Sequence, residues 1–335
     1  MVQLASKFSA YLSARSAAVL TAASGVVMPE YFSGPASEHL VTRRAAGLFD
    51  FSFMYCVEVA GPDSTAFLRA LQSRAIDAIA HGRIAYTLLL REDGTIFIDA
   101  TVWRHDDERY WLFTGRRGDA GYIAQAARPY AVTLTDRSTV QAVMAIQGTS
   151  STLIVERVLS GIDIRSLRYF GFIQTVFAGV DCWVARIGYS GEHGYELVIA
   201  DAIASHLWAA LLEAGEPEGL RECGFAAMDS LRIEAGHILF SHELAQSVTP
   251  AEAGLARLVD WRNSIATRAQ GRTPARQLVG LLPDCSASAA NTATFRKNDG
   301  TAIITSRAWS PLLEHELALG FVPCDCACAG VRVRV

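Results

Sequence analysis

Apolar residues recur along the chain with two periods, one helical and one extended. Helical spacing predicts helices over residues 1–20, 37–48, 64–71, 202–213 and 225–236. Short apolar runs rich in β-branched and aromatic residues predict strands over residues 51–59, 84–90, 95–103, 110–114, 143–147, 174–177, 182–187 and 195–200. After about Arg268 the pattern changes to short strands and turns that end in residues 331–335, which predicts a small separate β domain.

The size and composition of the chain limit the classes of protein to which it can belong. Its 335 residues predict two domains, with one to three allowed, since a domain averages about 150 residues. A hydrophobic content of 51% with 19% charged residues allows a large core and excludes a mainly disordered protein. The net charge of −4 gives the chain as a whole no attraction to nucleic acid or anionic lipid, so we expect neither nucleic acid nor a membrane as a partner.

The seven cysteines form neither the pattern of a disulfide scaffold nor that of a zinc site. No CxxC pair is present to complete a ligand set with His237 and His242, so we expect no metal. Cys324, Cys326 and Cys328 alternate with other residues, which predicts small apolar side chains on one face of a strand.

A tight turn at Asp93-Gly94 predicts a hairpin between two of the strands. A two-residue loop would pair Glu92 with Thr95, and further along the hairpin it would set Leu88 opposite Asp99. One face of the hairpin would then carry Tyr86, Phe97, Asp99, Thr101 and Trp103.

Asp99 is the acidic residue of this predicted face, where its neighbours are aromatic. A carboxylate buried there without a partner is costly, and burial raises the pKa of such a group. An acid in this setting can bond a cationic nitrogen or move a proton. The alternative interpretation is an ordinary aspartate that faces solvent on a half-exposed strand.

The glycine-rich segment 188–194 predicts a turn with close backbone approach between two strands. No lysine follows it and no helix begins there, so it is not a phosphate-binding P-loop. Glu196 begins the second strand, on the opposite face from Tyr195. Its carboxylate could accept two parallel N–H bonds from a planar heterocycle such as a 2-amino-4-oxo ring, at about 1.5–3 kcal/mol each. An exposed glutamate in an ordinary hairpin is the alternative.

The segment 226–250, which includes most of the helix predicted over residues 225–236, contains charged and potentially catalytic side chains. Arg232 and Glu234 are expected on a solvated or ion-paired face. His237 and His242 are candidate catalytic bases, although a lone histidine is more often structural.

Six sequence motifs together carry a family resemblance. In chain order, between about residues 28 and 322, they are MPEYFSGPASEHLVTRRAAGLFDFSFM, AYTLLLREDGTIFIDATVW, AIQGTSS, RIGYSGEHGYEL, MDSLRIEAGHILFSHELAQSVTPAEAGL and ITSRAWSPLLEHELALGFV. Together they resemble the aminomethyltransferase family, which comprises the T-protein of the glycine cleavage system and its folate-dependent relatives. The resemblance covers nearly the whole chain.

The resemblance implies an α+β fold. A folate-binding core of two subdomains over residues 1–262 would surround a central channel, and a small C-terminal β-barrel would follow over residues 268–335. Tetrahydrofolate is the implied cofactor. Asp99 matches the catalytic aspartate of the family, and Glu196 matches the carboxylate that grips the pterin. The other positions that match the folate site are Tyr86, Thr101, Trp103, Tyr189 and Arg232.

The chain departs from the family pattern on the side of the one-carbon donor. Ile98 stands in place of the first aspartate of the family pair, and Thr114 in place of the usual asparagine. Phe53 replaces a histidine and Met228 replaces an arginine. We expect the donor pocket near Phe53, Met228 and His242, and the replacements indicate a changed donor rather than lost folate binding.

The leading hypothesis is transfer of a methylene or methyl group to tetrahydrofolate, with Asp99 as the catalytic acid or electrostatic group. The donor is either the aminomethylated lipoyl arm of a carrier protein or a small methylated compound. The second donor would make the protein a folate-dependent O-, N- or S-demethylase that yields 5-methyltetrahydrofolate. A non-enzymatic folate-binding factor for iron–sulfur assembly is a further alternative. The presence of Asp99 and the lack of cysteine in residues 234–243 disfavour it.

The start of the chain imitates a targeting segment. Lys7 and Arg15 precede an alanine-rich stretch, as in signal and transit peptides, and the uncharged residues 16–29 are too few to span a membrane. Because the family resemblance begins near Met28, little length is left for a leader. We therefore expect a cytoplasmic protein.

Overall fold

The computed structural model describes residues 19–23, 26–262, 267, 271, 273–283, 294–297 and 300–328. Within these residues the helices are α1 Pro35–Arg44, α2 Ser64–Leu71, α3 Ala120–Ala127, α4 Ser151–Val158, α5 Asp201–Gly215 and α6 Phe225–Glu234. The strands are β1 Val19–Ala23, β2 Val26–Tyr31, β3 Gly47–Asp50, β4 Tyr55–Ala60, β5 Arg83–Leu90, β6 Ile96–Arg104, β7 Arg109–Thr114, β8 Thr133–Asp136, β9 Gln141–Gln147, β10 Phe172–Phe177, β11 Val180–Ala185, β12 Gly194–Ala200, β13 Arg221–Glu222, β14 Arg276–Leu281, β15 Thr294–Lys297, β16 Gly300–Ser310 and β17 His315–Pro323.

The chain divides into two compact units, each built from several stretches of sequence. The first unit contains the residues up to Phe67, Asp77–Ala85 and Ala100–Met228. The second unit contains Leu68–Ile76, Tyr86–Asp99 and the residues from Asp229 onward. The domain limits expected from the sequence, 1–262 and 268–335, stay a prediction.

A six-stranded sheet in the order β10-β11-β12-β9-β3-β13 belongs to the first unit. Strand β12 pairs antiparallel with β9 from Gly194 opposite Gln147 to Ala200 opposite Gln141. Helix α5 buries Leu207, Trp208 and other apolar residues at helical spacing against the core of this unit. Because β11 and β9 flank β12 on both sides, the backbone that carries Glu196 is held in the interior of the sheet.

A second sheet has the strand order β5-β6-β7-β4-β8. In the first unit, Ala100–Arg104 of β6 pairs antiparallel with β7, and β7 pairs in turn with β4. Trp103 of β6 lies opposite Trp111 of β7, and both side chains are buried. The stretch Tyr86–Asp99, which includes the turn of the β5–β6 hairpin, belongs to the second unit.

The second unit also contains a four-stranded antiparallel sheet in the order β14-β17-β16-β15. Its apolar core includes Leu88 and Leu90 of β5, Ile96 of β6, Val248 and Phe321. The small β domain expected near the C-terminus therefore has a sheet of its own, and the closure of that sheet into a barrel stays a prediction.

The cysteines after β17 do not lie on a strand. Strand β17 ends at Pro323, and Cys324–Cys326 forms a single 3-10 turn. The prediction of a strand there is wrong because Pro323 fixes its own backbone and donates no hydrogen bond, which ends the pairing. Of these cysteines, Cys326 is buried and Cys324 is exposed.

The helix expected over residues 37–48 is displaced. Helix α1 begins at Pro35, whose fixed φ suits the first helical position, and ends at Arg44. The apolar residues that follow form β3, which is buried and pairs with β9. Of the helix predicted over residues 1–20, Val19 and Leu20 lie in strand β1 instead, and the rest lies outside the described residues. The predicted strand over 331–335 also lies outside the described residues. None of the described helices combines the length and the apolarity that crossing a bilayer requires.

Candidate functional site

The loop of the hairpin that carries Asp99 is one residue longer than the sequence predicted, because it begins at Glu92. The N–H of Arg91 donates to the carbonyl of Thr95 over 2.8 Å, and that of Gly94 donates back to the carbonyl of Arg91 over 3.0 Å. Gly94 has a φ of +80°, and the Asp93 carboxylate accepts the N–H of Thr95 over 2.9 Å. The predicted pairing of Glu92 with Thr95 is wrong, because a left-handed Gly94 closes a three-residue loop with a bulge.

The side chains of Asp99 and Tyr86 nevertheless meet, as the sequence predicted. The Tyr86 hydroxyl donates to Oδ2 of Asp99 over 3.0 Å. Both side chains are half-buried, so the carboxylate is partly accessible and its orientation is held by a neighbouring group. This arrangement suits a carboxylate that interacts with a cationic or protonated nitrogen.

Thr101 and Trp103 lie farther along β6, in the first unit. The indole Nε1 of Trp103 donates to Oγ1 of Thr101 over 3.1 Å. The ring of Trp103 packs against Phe113 and Phe172, with centroid distances of 4.9 and 5.1 Å. Trp103 is thus part of an aromatic cluster that fixes this end of the strand, while Thr101 remains half-buried. Their predicted contact with folate stays a prediction.

Glu196 is a buried carboxylate without a protein partner among the described residues. It lies on β12 between Ala145 and Ala185 on the neighbouring strands, and it is 7% exposed. Burial alone raises the pKa of Glu196 to about 8. Partial burial raises the pKa of Tyr169, and the negative charge of ionised Glu196 raises it further. The structure therefore contradicts the alternative of an exposed glutamate, and a ligand with N–H donors would relieve an unfavourable burial.

The loop before Glu196 is ordered around the side chain of Gln147. A Cβ built on Gly188 or Gly194 would overlap with the Gln147 amide. Ser190 donates its hydroxyl to Oε1 of Gln147 over 2.8 Å. The glycines of this segment are thus explained by close approach to an amide, and Tyr189 lies half-buried on the same loop.

Arg232 is fully buried within the second unit. Its Nε donates to Asp229 over 2.8 Å, and its Nη1 donates to Glu243 over 2.9 Å. Its Nη2 donates to the hydroxyl of Ser306 over 2.7 Å. The expected ion-paired face is thus a buried network rather than a solvated surface. Folate binding by Arg232 is not tested by these contacts and stays a prediction.

The residues expected in the donor pocket have different surroundings. Phe53 makes edge-on contacts with Phe51 and Phe225, with centroid distances of 5.7 and 6.0 Å. Met228 is buried on the same helix as Phe225, whereas His242 is exposed and its Nδ1 lies 3.1 Å from the Ser241 hydroxyl. Phe53 and the start of α6 thus come together in the first unit. Among the described residues, no group of three or more His, Cys, Asp or Glu side chains could hold a metal.

Comparison with known proteins identifies the family. A family model described as the GCVT N-terminal domain matches residues 10–263. The chain belongs to the GCVT family. The aminomethyltransferase of Cutibacterium acnes is 34% identical over 325 residues, which covers 92% of this chain and 87% of that protein. The aminomethyltransferase of Symbiobacterium thermophilum is 33% identical over 327 residues, with 93% and 87% covered.

A solved structure of the GCVT family has the same fold. Glycine cleavage system aminomethyltransferase T from Bartonella henselae matches with a TM-score of 0.87 at 25% identity, over 99% of this chain and 93% of that one. The α+β, T-protein-like fold and the family resemblance inferred from the motifs are therefore confirmed.

One buried glutamate of this GCVT protein was not assigned a role from the sequence. Oε1 of Glu38 accepts the backbone N–H groups of Phe32, Ser33 and Gly34 at 2.6, 2.7 and 3.1 Å. Oε2 accepts the N–H of Gly224 at 2.8 Å, immediately before α6. Glu38 therefore fixes the start of the helix that carries Met228. The signal available in the sequence is a glutamate in the first turn of a helix, a position that the helix dipole alone would explain.

Proposed function

We propose that the protein is a tetrahydrofolate-dependent aminomethyltransferase, which takes its one-carbon unit from the aminomethylated lipoyl arm of a carrier protein. The observation that carries the proposal is the Glu196 carboxylate, buried on a rigid strand with no partner among the described residues. A 2-amino-4-oxo pterin edge offers two parallel N–H donors. A carboxylate that accepts both would gain about 1.5–3 kcal/mol from each bond.

The donor is inferred from the relatives. Two proteins named aminomethyltransferase match more than nine-tenths of this chain, and one matching solved structure is a glycine cleavage system aminomethyltransferase T. These names support an aminomethyl donor over other one-carbon donors. A lipoyl carrier protein is accordingly the partner that the proposal requires.

Asp99 is the proposed catalytic residue. Tetrahydrofolate supplies the N5 nitrogen that accepts the carbon. The Asp99 carboxylate, held by Tyr86 at 3.0 Å, orients this nitrogen, stabilises positive charge that develops near the transferred carbon, and relays a proton. Tyr86 acts through Asp99 by fixing the carboxylate. Its contribution is therefore smaller than that of Asp99 itself.

The remaining assignments complete the proposal. We place Thr101, Trp103, Tyr189 and Arg232 along the folate, and Phe53, Met228 and His242 toward the donor. The rigid packing of Trp103 supports one precise position for its ring, and the buried ion pairs of Arg232 support one orientation of its guanidinium group.

The deciding experiment offers the protein an aminomethylated lipoyl carrier together with tetrahydrofolate. We expect methylenetetrahydrofolate and ammonia in equal amounts, and no product when tetrahydrofolate is omitted. Folate binding with no turnover of any donor would instead support a non-enzymatic folate-binding factor, and no folate binding would refute the proposal entirely.

A folate-dependent demethylase is the second candidate, because three positions near the expected donor are apolar here. Ile98 and Met228 are buried, and Phe53 packs edge-on against Phe225. Apolar walls suit a small methylated compound better than a charged aminomethyl group. Formation of 5-methyltetrahydrofolate from such a compound, without activity toward the lipoyl carrier, would favour this candidate.

A further inference from the structure

The first unit carries a cavity of about 450 Å³ that the proposed function does not use. Its lining includes Thr149, Thr152, Arg165, Arg186, His193 and Tyr195. Tyr195 and Glu196 are successive residues of β12, and successive side chains of a strand point to opposite faces. The cavity therefore lies on the other side of the sheet from the carboxylate assigned to the pterin.

The cavity has an excess of positive charge. The guanidinium of Arg165, at the exposed rim, is held by both carboxylate oxygens of Glu156 at 2.7 Å. Arg186 is half-buried and donates to the carbonyl of Leu167 over 2.9 Å. Within the described residues Arg186 forms no ion pair. One guanidinium charge is therefore uncompensated beside the cavity, where partial burial reduces screening by water.

The neighbouring side chains are affected by this charge. Burial lowers the pKa of His193, and the positive charge of Arg186 lowers it further. The hydroxyl of Tyr195 lies 3.1 Å from Oγ1 of Thr152, so two hydroxyl groups are held together in the lining. The imidazole is neutral at pH 7, and it can gain a proton when an anion neutralises Arg186.

We propose that this cavity binds a small anion that carries a phosphate group. Two guanidinium groups, an imidazole and three hydroxyl groups surround one space, and a phosphate offers several strong acceptor oxygens to such donors. A planar carboxylate would use fewer of them. The volume exceeds that of free phosphate, so the cavity also accommodates a phosphate monoester. The ligand is either inorganic phosphate or an ester of it.

The test is an NMR titration of the imidazole protons in the full-length protein, with inorganic phosphate and 5′-AMP as separate probes. The signal of His193 is assigned by its absence in His193→Gln. We expect each probe that binds to raise the pKa of His193, with a dissociation constant below ~10 mM. Tighter binding of the nucleotide identifies an ester as the ligand, and equal binding identifies free phosphate.

Two variants and one control distinguish specific phosphate binding in the cavity from non-specific attraction to positive charge. Arg186→Gln should weaken phosphate binding about tenfold or more, since a bond to a charged group contributes about 1.5–3 kcal/mol. Arg165→Gln changes an exposed side chain, so the core of the protein is untouched. This variant should weaken phosphate binding severalfold. Arg168→Gln removes the same charge from an exposed residue outside the lining, and should change binding less than twofold.

The proposal fails if neither probe moves the His193 titration, or if Arg168→Gln weakens binding as much as Arg165→Gln does. It also fails if succinate binds more tightly than phosphate, which would make the cavity a dicarboxylate site. Tetrahydrofolate binding is measured in parallel. Loss of tetrahydrofolate binding in Arg186→Gln would show that the cavity binds the folate itself. If tetrahydrofolate binding is retained, the phosphate proposal and the proposed function are tested independently of each other.

Discussion

Glu196 and Glu243 are both buried glutamates, one in each compact unit, and their surroundings are opposite. Glu243 is 0% exposed and accepts hydrogen bonds from Arg232, from the N–H of Leu239 and from the hydroxyl of Thr305. Glu196 is 7% exposed and has no such partner among the described residues. Removing a partner from a fully paired buried carboxylate is strongly destabilising, whereas a buried carboxylate without donors destabilises the fold until something binds.

The same substitution at the two positions gives the sharpest contrast. Glu243→Gln removes the charge that compensates Arg232, and should lower the free energy of unfolding by roughly 3 kcal/mol or more. Glu196→Gln should leave it unchanged or slightly raised at pH 8, because it removes an unfavourable buried charge. Denaturant unfolding of both variants at pH 8 provides the measurement. Equal losses of stability would show that Glu196 is a structural residue like Glu243.

Asp99 lies between these extremes, because it is half-buried and accepts a hydrogen bond from the Tyr86 hydroxyl. Asp99→Asn should lower kcat about 10²-fold or more, since the charge that supports the transition state is lost. Tyr86→Phe removes the hydrogen bond that orients the Asp99 carboxylate, and should lower kcat about fivefold. Tetrahydrofolate affinity, measured by calorimetry, should be retained in Asp99→Asn. Turnover of Asp99→Asn near that of the unmodified protein would remove Asp99 from the mechanism.

Tetrahydrofolate binding should depend on Glu196 and not on a second glutamate in the preceding loop. Glu196→Gln should weaken tetrahydrofolate binding about thirtyfold, because the amide presents an N–H toward the donors of the pterin edge. Glu192→Gln is the control in the same loop. Its partner Arg43 is at 2.9 Å, and we expect less than a twofold change in affinity. Comparable losses from both would indicate disturbance of the loop rather than loss of a specific acceptor.

The smallest expected effect is a dependence of stability on pH. The pKa of Glu196 rises from 4.5 to about 8 on folding, so between these values the folded state holds a proton that the unfolded state has released. The contribution of this group to stability therefore falls as pH rises through this window. Between pH 7 and pH 8 the loss is roughly 1 kcal/mol.

Unfolding measured across this range should show the slope in the unmodified protein and a shallower one in Glu196→Gln. Saturating tetrahydrofolate should also flatten it, because N–H donors favour the ionised carboxylate. An identical slope in the variant would assign the dependence to other groups.

Local signals in the sequence predicted much of the fold. The Asp93-Gly94 turn, the strand with Glu196 and the helix with Arg232 are present where the pattern placed them. Loop length was not predictable, since it depends on whether Gly94 adopts a positive φ. The strand predicted at Cys324 was wrong because Pro323 outweighs the alternation of side chains.

The site was predictable in its residue types but not in its contacts. The proximity of Tyr86 and Asp99 follows from one hairpin, so the pattern could indicate it. The bond from Gly224 to Glu38 joins residues 186 positions apart, and no local pattern contains it. The isolation of Glu196 is likewise a property of its neighbours on β9 and β11, both alanines, which only the sheet register brings together.

The Gln147 amide lies directly beside Gly188, and this close contact constrains which substitutions the chain can accept in evolution. A methyl group at position 188 would overlap with the oxygen, carbon and nitrogen of that amide, so the residue tolerated at 188 depends on the side chain at 147. Selection for revertants from a Gly188→Ala parent should therefore recover smaller residues at 147.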